Sequence, residues 1–392
     1  MKRFIIIAFA LSLFLHSKPL FAENTTSQPV MISYDGKGCA MSWDIGVTKA
    51  FYERLNLSAV SEFYFVGTSS GSLMSSFFAC RGLNQSSIDE LLTAIAKLPK
   101  DMIDESPMTK ILQLVLGIPP ETSLKLINPA IDIVTMNDTC VPKIPLLIVA
   151  ANIDVLDSRV KKPFNGKRDK LFDNRNYEVK DKATGSVLGK ACTYFVNESM
   201  NEILKAVKPE ERLCDIRLIS TGKELRTAIL ASLAEPTYYA AVTETDPSKI
   251  QSVYPVKGTR VYNGGFVINS PIQDVKRARP ETYTVGTGRP VYSRLHNRII
   301  KNWFTMSMNE TLKNQLWWFD SQVPISNQHW NKMYEKKTTT LDQVALGYAT
   351  AKDCFENGPC IPDYSATPHF ANSSRGENLE AKRHRGLKAI FK

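Results

Sequence analysis

Histidine is nearly missing from this chain, and the shortage removes the commonest way of activating a serine. Five of the 392 residues are histidine. His16 lies in the N-terminal apolar stretch, and His296, His329, His369 and His384 all lie beyond the strand-rich part of the sequence. A Ser-His-Asp triad needs its histidine after a late strand, and none is there. The same shortage leaves the seven cysteines without the histidine partners and spacings of a zinc site, so no metal is expected. Internal repeats and a disordered-type composition are also absent. Past the first 22 residues no apolar run approaches the roughly 20 residues that a spanning helix needs.

What is present begins with a leader. MKRFIIIAFALSLFLHSKPLFAENTT has a basic start, an apolar stretch and a small residue at Ala22. This is the pattern of a secretory signal peptide, residues 1–22, cleaved after Ala22. Export to the periplasm, the outer membrane surface or the medium is the expectation. Loss of Lys2, Arg3 and Lys18 lowers the formal charge from +10 to +7. In an exported protein that balance fits anionic headgroups or surface polymers rather than nucleic acid, or serves solubility alone. An oxidising compartment lets cysteines pair. Cys354 and Cys360, flanking the turn-rich FENGP, are the first expected pair, and Cys192 with Cys214 the second.

VMISY, FYFV and IPLLIVAA read as buried strands, and RVY and TYTVGTG as later ones. Trp43, Val47, Ala50, Phe51 and Leu55 recur on one face of a helix, and ELRTAILASL reads as another. Strands alternating with helices predict an α/β fold, helices covering both faces of a mainly parallel sheet. Residues 152–195 are polar and turn-rich and read as an inserted loop or hairpin. Residues 293–392 read as a C-terminal helical appendage.

The chemistry centres on FYFVGTSSGSLMSSFF. A strand, a G-x-S-x-G turn and a helix would place Ser69 on a tight elbow at the carboxyl edge of the sheet, above a helix N-terminus. Gly36-Lys37-Gly38 lies between the first strand and its helix, where backbone N–H groups can face a developing oxyanion. As a nucleotide loop it is incomplete, since Met41 stands where the third glycine of G-x-G-x-x-G would be.

DGKGCAMSWDIGVTKAF, FVGTSSGSL, PLLIVAANID, RTAILASLAEPTYYAAV, VYNGGFVINSPI and TYTVGTG, in this order over residues 28–292, resemble the patatin-like phospholipases. The resemblance implies a three-layer α/β/α domain that hydrolyses lipid acyl esters without cofactor or histidine, on a lipid substrate at a membrane surface. It implies Ser69 as nucleophile between the motif glycines Gly67 and Gly71. It also implies an oxyanion hole from Gly36, Lys37 and Gly38, with the N–H of Ser70. The family's base is the aspartate of a D-G-G motif. Gly264 and Gly265 match its glycines, but Asn263 stands at the aspartate.

An amide orients a hydroxyl but has almost no basicity at neutral pH. Several readings follow. The chain is a serine acyl hydrolase with a substitute base, for which Asp35 and Asp44 are candidates beside their plainer roles as turn and helix-surface residues. Otherwise it is an impaired relative that binds lipid or a protein partner without efficient turnover. Deamidation of Asn263 before Gly264 would restore the carboxylate.

Overall fold

The computed structural model describes residues 27–36, 41–55, 57–97, 121–152, 178–180, 185–234, 242–243, 260–266, 268, 271–287, 316–319 and 340–357. The signal segment, Lys37, Gly38 and Cys360 lie outside them.

Nine strands form one mixed, mostly parallel sheet. Strands β1 (Gln28–Tyr34), β2 (Val60–Thr68) and β3 (Leu146–Asn152) lie side by side in parallel. Beyond β1 come β10 (Tyr283–Thr287) and β11 (Leu316–Phe319), both parallel. Beyond β3 come β6 (Cys192–Val196), antiparallel, and then β7 (Asp215–Leu218). The last two members, β8 (Val242–Thr243) and β9 (Arg260–Asn263), join β3 through β9 in antiparallel fashion. A separate hairpin pairs β4 (Glu178–Lys180) with β5 (Val187–Lys190). Residues 192–195, assigned to the polar insertion on sequence, begin the core strand β6. Leu316–Phe319, inside the region read as helical, is an edge strand.

The period of two along the strands sorts side chains into two cores. Val30, Ile32, Phe65, Ile148 and Ala150 point to one face. It is covered by α1 (Met41–Arg54), α2 (Ser70–Arg81), α3 (Gln85–Lys97), α4 (Glu121–Thr135), α6 (Gly222–Leu233) and α8 (Thr340–Asn357). Met31, Tyr64, Val66, Leu147 and Val149 point to the other, covered by α5 (Glu198–Leu204) and α7 (Gln273–Ala278). The expected α/β architecture with helices on both sides is what the chain adopts.

Two disulfides close this frame. Cys192–Cys214 ties β6 to the start of β7, as the second sequence expectation had it. Cys80–Cys140 ties the end of α2 to the segment after α4 across 60 residues, a pairing no local pattern announces. Crosslinks over loops of this size stabilise by about 3–4 kcal/mol, chiefly through the unfolded chain. Cys354 falls within α8, and its expected pairing with Cys360 lies outside the described residues.

Helix α8 is packed against α1 at backbone distance. A Cβ on Gly347 would lie 2.0 Å from the Trp43 carbonyl oxygen, and one on Gly46 would lie 1.9 Å from that of Val344. Across the same seam the Tyr348 hydroxyl donates to Glu53 at 2.7 Å, and Lys49 sits over the Tyr348 ring. Gly347→Val is expected to part the helices and cost roughly 3 kcal/mol, seen as a lower midpoint in denaturant unfolding. An unchanged midpoint would mean that the crossing has slack.

Candidate active site

Ser69 and residue 263 meet because two strands share one edge of β3. Strand β2 runs along that edge until Thr68 faces Val149. There it turns away into α2, and the antiparallel β9 takes the edge over, with Asn263 facing Ala150. The residue after the end of β2 and the last residue of β9 are thereby brought together across 194 positions of sequence. A second tie helps: the Thr68 hydroxyl donates to the Ile268 carbonyl at 3.2 Å, holding the chain beyond Asn263 over the end of β2.

The strand-to-helix elbow is strained at Ser69. Ser69 has φ 55° and ψ −129°, a combination that costs a non-glycine residue about 1–3 kcal/mol and persists only where surrounding contacts enforce it. Both motif glycines are explained by contact. A Cβ on Gly71 would lie 2.0 Å from the Tyr34 carbonyl oxygen, and one on Gly67 would lie 2.4 Å from that of Gly71. The first turn of α2 is thus pressed onto the end of β1, where Asp35 and Gly36 begin the glycine loop. Gly36 is buried there. Lys37 and Gly38 of the expected oxyanion loop lie outside the described residues.

Every backbone group of Ser69 has a partner. Its carbonyl accepts from the Ser72 N–H at 2.8 Å and from the Ser72 hydroxyl at 2.6 Å. Its N–H donates to the Ser232 hydroxyl at 2.8 Å, which donates in turn to the Val149 carbonyl at 2.7 Å. Ser232 stands in the last turn of α6 and is fully buried. Sequence reasoning missed it, because a serine among A-S-L-A carries no local signal of chemistry.

The Ser69 hydroxyl is 2.7 Å from Asn263 Nδ2, and the direction of that bond is settled by the other end of the amide. Asn263 Oδ1 accepts from the Gly265 N–H at 2.8 Å. An N–H needs an oxygen acceptor, so the NH₂ group is the one turned to Ser69. The amide donates to Oγ and offers the serine proton no place to go. Asn263 is 5% exposed, and its N–H donates to the Ala234 carbonyl at 2.9 Å. Gly264 begins a single 3₁₀ turn, and a Cβ there would lie 2.3 Å from the Val149 carbonyl oxygen. The glycine after Asn263 therefore has a packing reason of its own.

Among the described residues no carboxylate hydrogen-bonds the Ser69 hydroxyl. Asp35 and Asp44 are both fully buried, so Asp44 is not the helix-surface residue that its position suggested. It faces Tyr34, whose hydroxyl hydrogen-bonds with Thr48 at 3.0 Å. Burial raises the Tyr34 phenol far above its ordinary range, outweighing the hydrogen bond with Thr48, and the Asp44 charge adds to the rise. Tyr34 stays protonated and is not a base. No cluster of metal ligands occurs among the described residues.

No family model matches the chain, and no curated protein matches it. Among solved structures it is similar to VipD from Legionella pneumophila. The identity is 11%, the match covers 93% of this chain and 75% of that one, and the TM-score is 0.27. A likeness that slight carries no argument, so the site is read from its own geometry.

Proposed function

We propose that this chain is an exported serine acyl hydrolase of the patatin-like kind, acting on carboxylic esters of lipids through an acyl group on Ser69. One observation carries the reading: a strained serine at a strand-to-helix elbow, its hydroxyl in hydrogen-bond contact with the end of a second strand on the same edge. Strain of this sort is retained at functional sites, and here several separate contacts enforce it. In the proposed reaction Ser69 Oγ attacks the ester carbonyl and its proton passes to water, since the Asn263 amide donates to Oγ and cannot accept it. Backbone N–H groups of the Gly36–Gly38 loop face the oxyanion, the alcohol leaves with a proton taken from water, and a second water releases the acid. No cofactor takes part, and the formal charge of +7 left after loss of Lys2, Arg3 and Lys18 suits approach to an anionic lipid interface. The disulfides Cys80–Cys140 and Cys192–Cys214 support the export implied by the leader.

The direction of the Asn263–Ser69 hydrogen bond supports a second reading, in which the chain binds lipid or a protein partner with little turnover. Hydrolysis of a chromogenic fatty-acyl ester and of phospholipid vesicles by wild type and Ser69→Ala separates the two. The hydrolase reading expects measurable turnover that falls to background in Ser69→Ala. Equal, background rates in both proteins would leave the binding role.

A further inference from the structure

The two backbone groups of Ser69 are held in different ways. Its carbonyl is held locally, by Ser72 one turn into the same helix, whereas its N–H is held by a residue 163 positions on. We propose that Ser232 is a positioning residue for the Ser69 nucleophile, tying the elbow to the carbonyl on which the Asn263 turn is seated. The inference rests on the reading of Ser69 as nucleophile and adds to it the part that fixes its distance from residue 263.

A chain of contacts closes a circuit. From the Ser69 N–H the path runs to the Ser232 hydroxyl and on to the Val149 carbonyl. One residue along β3, Ala150 faces Asn263 across the ladder, and Asn263 Nδ2 returns to Ser69 Oγ. Gly264 is seated against the same Val149 carbonyl, within 2.3 Å of where a Cβ would fall. Both partners of the Ser69–Asn263 pair are thus referred to one atom of the central strand.

Serine suits this point because its hydroxyl donates once while accepting elsewhere. Alanine would do neither and would leave the Ser69 N–H buried without a partner. The elbow would then relax from φ 55° toward ordinary backbone, and Oγ would move away from the position from which it attacks. Because Ser232 is fully buried, it acts on the reaction only through the groups that it bonds, the Ser69 N–H and the Val149 carbonyl. A corollary is that the Ser69 N–H is engaged away from the substrate, which leaves the oxyanion to other donors.

The test uses the full chain carrying Asn263→Asp, where Ser69 is expected to be reactive. Fluorophosphonate labelling, kcat and KM for a p-nitrophenyl acyl ester, and Tm are compared with and without Ser232→Ala. Ser76→Ala, a buried serine on α2, serves as control. The expected result for Ser232→Ala is a fall of about 10²-fold in labelling rate and kcat, with KM within about twofold. Measurements are made below its unfolding midpoint, and hydrogen exchange reports lost protection at the Ser69 amide. Ser76→Ala is expected to match the parent. Labelling at the parent rate, or unchanged amide protection, in folded Ser232→Ala would overturn the positioning role alone. A parent protein that does not label at Ser69 would overturn the nucleophile reading, and the positioning role with it.

Discussion

Asn263→Asp is expected to raise acyl-ester hydrolysis by about 10²-fold to 10⁴-fold, the span that a positioned general base supplies. The substitution is isosteric, so the 5% exposed site has nothing to repack. One carboxylate oxygen inherits the Gly265 N–H now bound by Oδ1 at 2.8 Å. The other replaces Nδ2 at 2.7 Å from Ser69 Oγ, and the hydrogen bond reverses: the serine hydroxyl donates and the carboxylate accepts. The proton then has a destination during attack and a source when the alcohol leaves. A pH profile supplies the second readout. The gained rate depends on an ionised carboxylate at position 263, so it is lost as pH falls through that group's titration, whereas wild type has no such limb. Equal rates for wild type and Asn263→Asp would mean that residue 263 is not the missing base.

Gly71→Ala carries the second largest expected effect, since it damages stability and geometry together. The added methyl would meet the Tyr34 carbonyl oxygen at 2.0 Å and that of Asp35 at 3.0 Å. Both are backbone atoms at the end of a central strand, so neither can turn aside as a flexible side chain would. Helix α2 must lift from β1, at a cost of roughly 3 kcal/mol, and it carries the elbow with it. A displacement near 1 Å is worth about 10²-fold in rate. In the Asn263→Asp background the expected result is therefore a lower unfolding midpoint together with labelling of Ser69 about 10²-fold slower. Gly185→Ala is the comparison. Its φ of 69° is left-handed, as that of Gly71 is not, but nothing lies within 4 Å of its would-be Cβ, so it pays only backbone strain of about 1 kcal/mol. If Gly71→Ala were as mild as Gly185→Ala, the close packing of helix α2 on the Tyr34 carbonyl would not be what requires glycine at position 71.

Much of this site can be read along the chain, and the unreadable parts share a cause. Strands β1, β2 and β3 each carry a short apolar run, and Gly67, Ser69 and Gly71 lie within five residues of one another, so the elbow is a local feature. Asn263 is visible only by resemblance, because its meeting with Ser69 depends on β9 taking over an edge that β2 has left. Ser232 depends on where the last turn of α6 crosses β3, and no short window of sequence contains that crossing. Cys80 and Cys140 pair through the packing of α2 on α4, again a long-range event. Asp44 reads as a surface residue because a lone carboxylate in the first turn of a helix usually is one, whereas here it is fully buried beside Tyr34 of β1.

One covalent event decides the mechanism, and mapping it is the most direct test. Asn263→Asp protein quenched during turnover of a p-nitrophenyl acyl ester should carry one acyl group on Ser69, within the tryptic peptide spanning residues 55–81. The double variant that also carries Ser69→Ala should carry none and should hydrolyse at background. An acyl group on another residue, or undiminished hydrolysis by the double variant, would contradict the assignment of Ser69 as nucleophile.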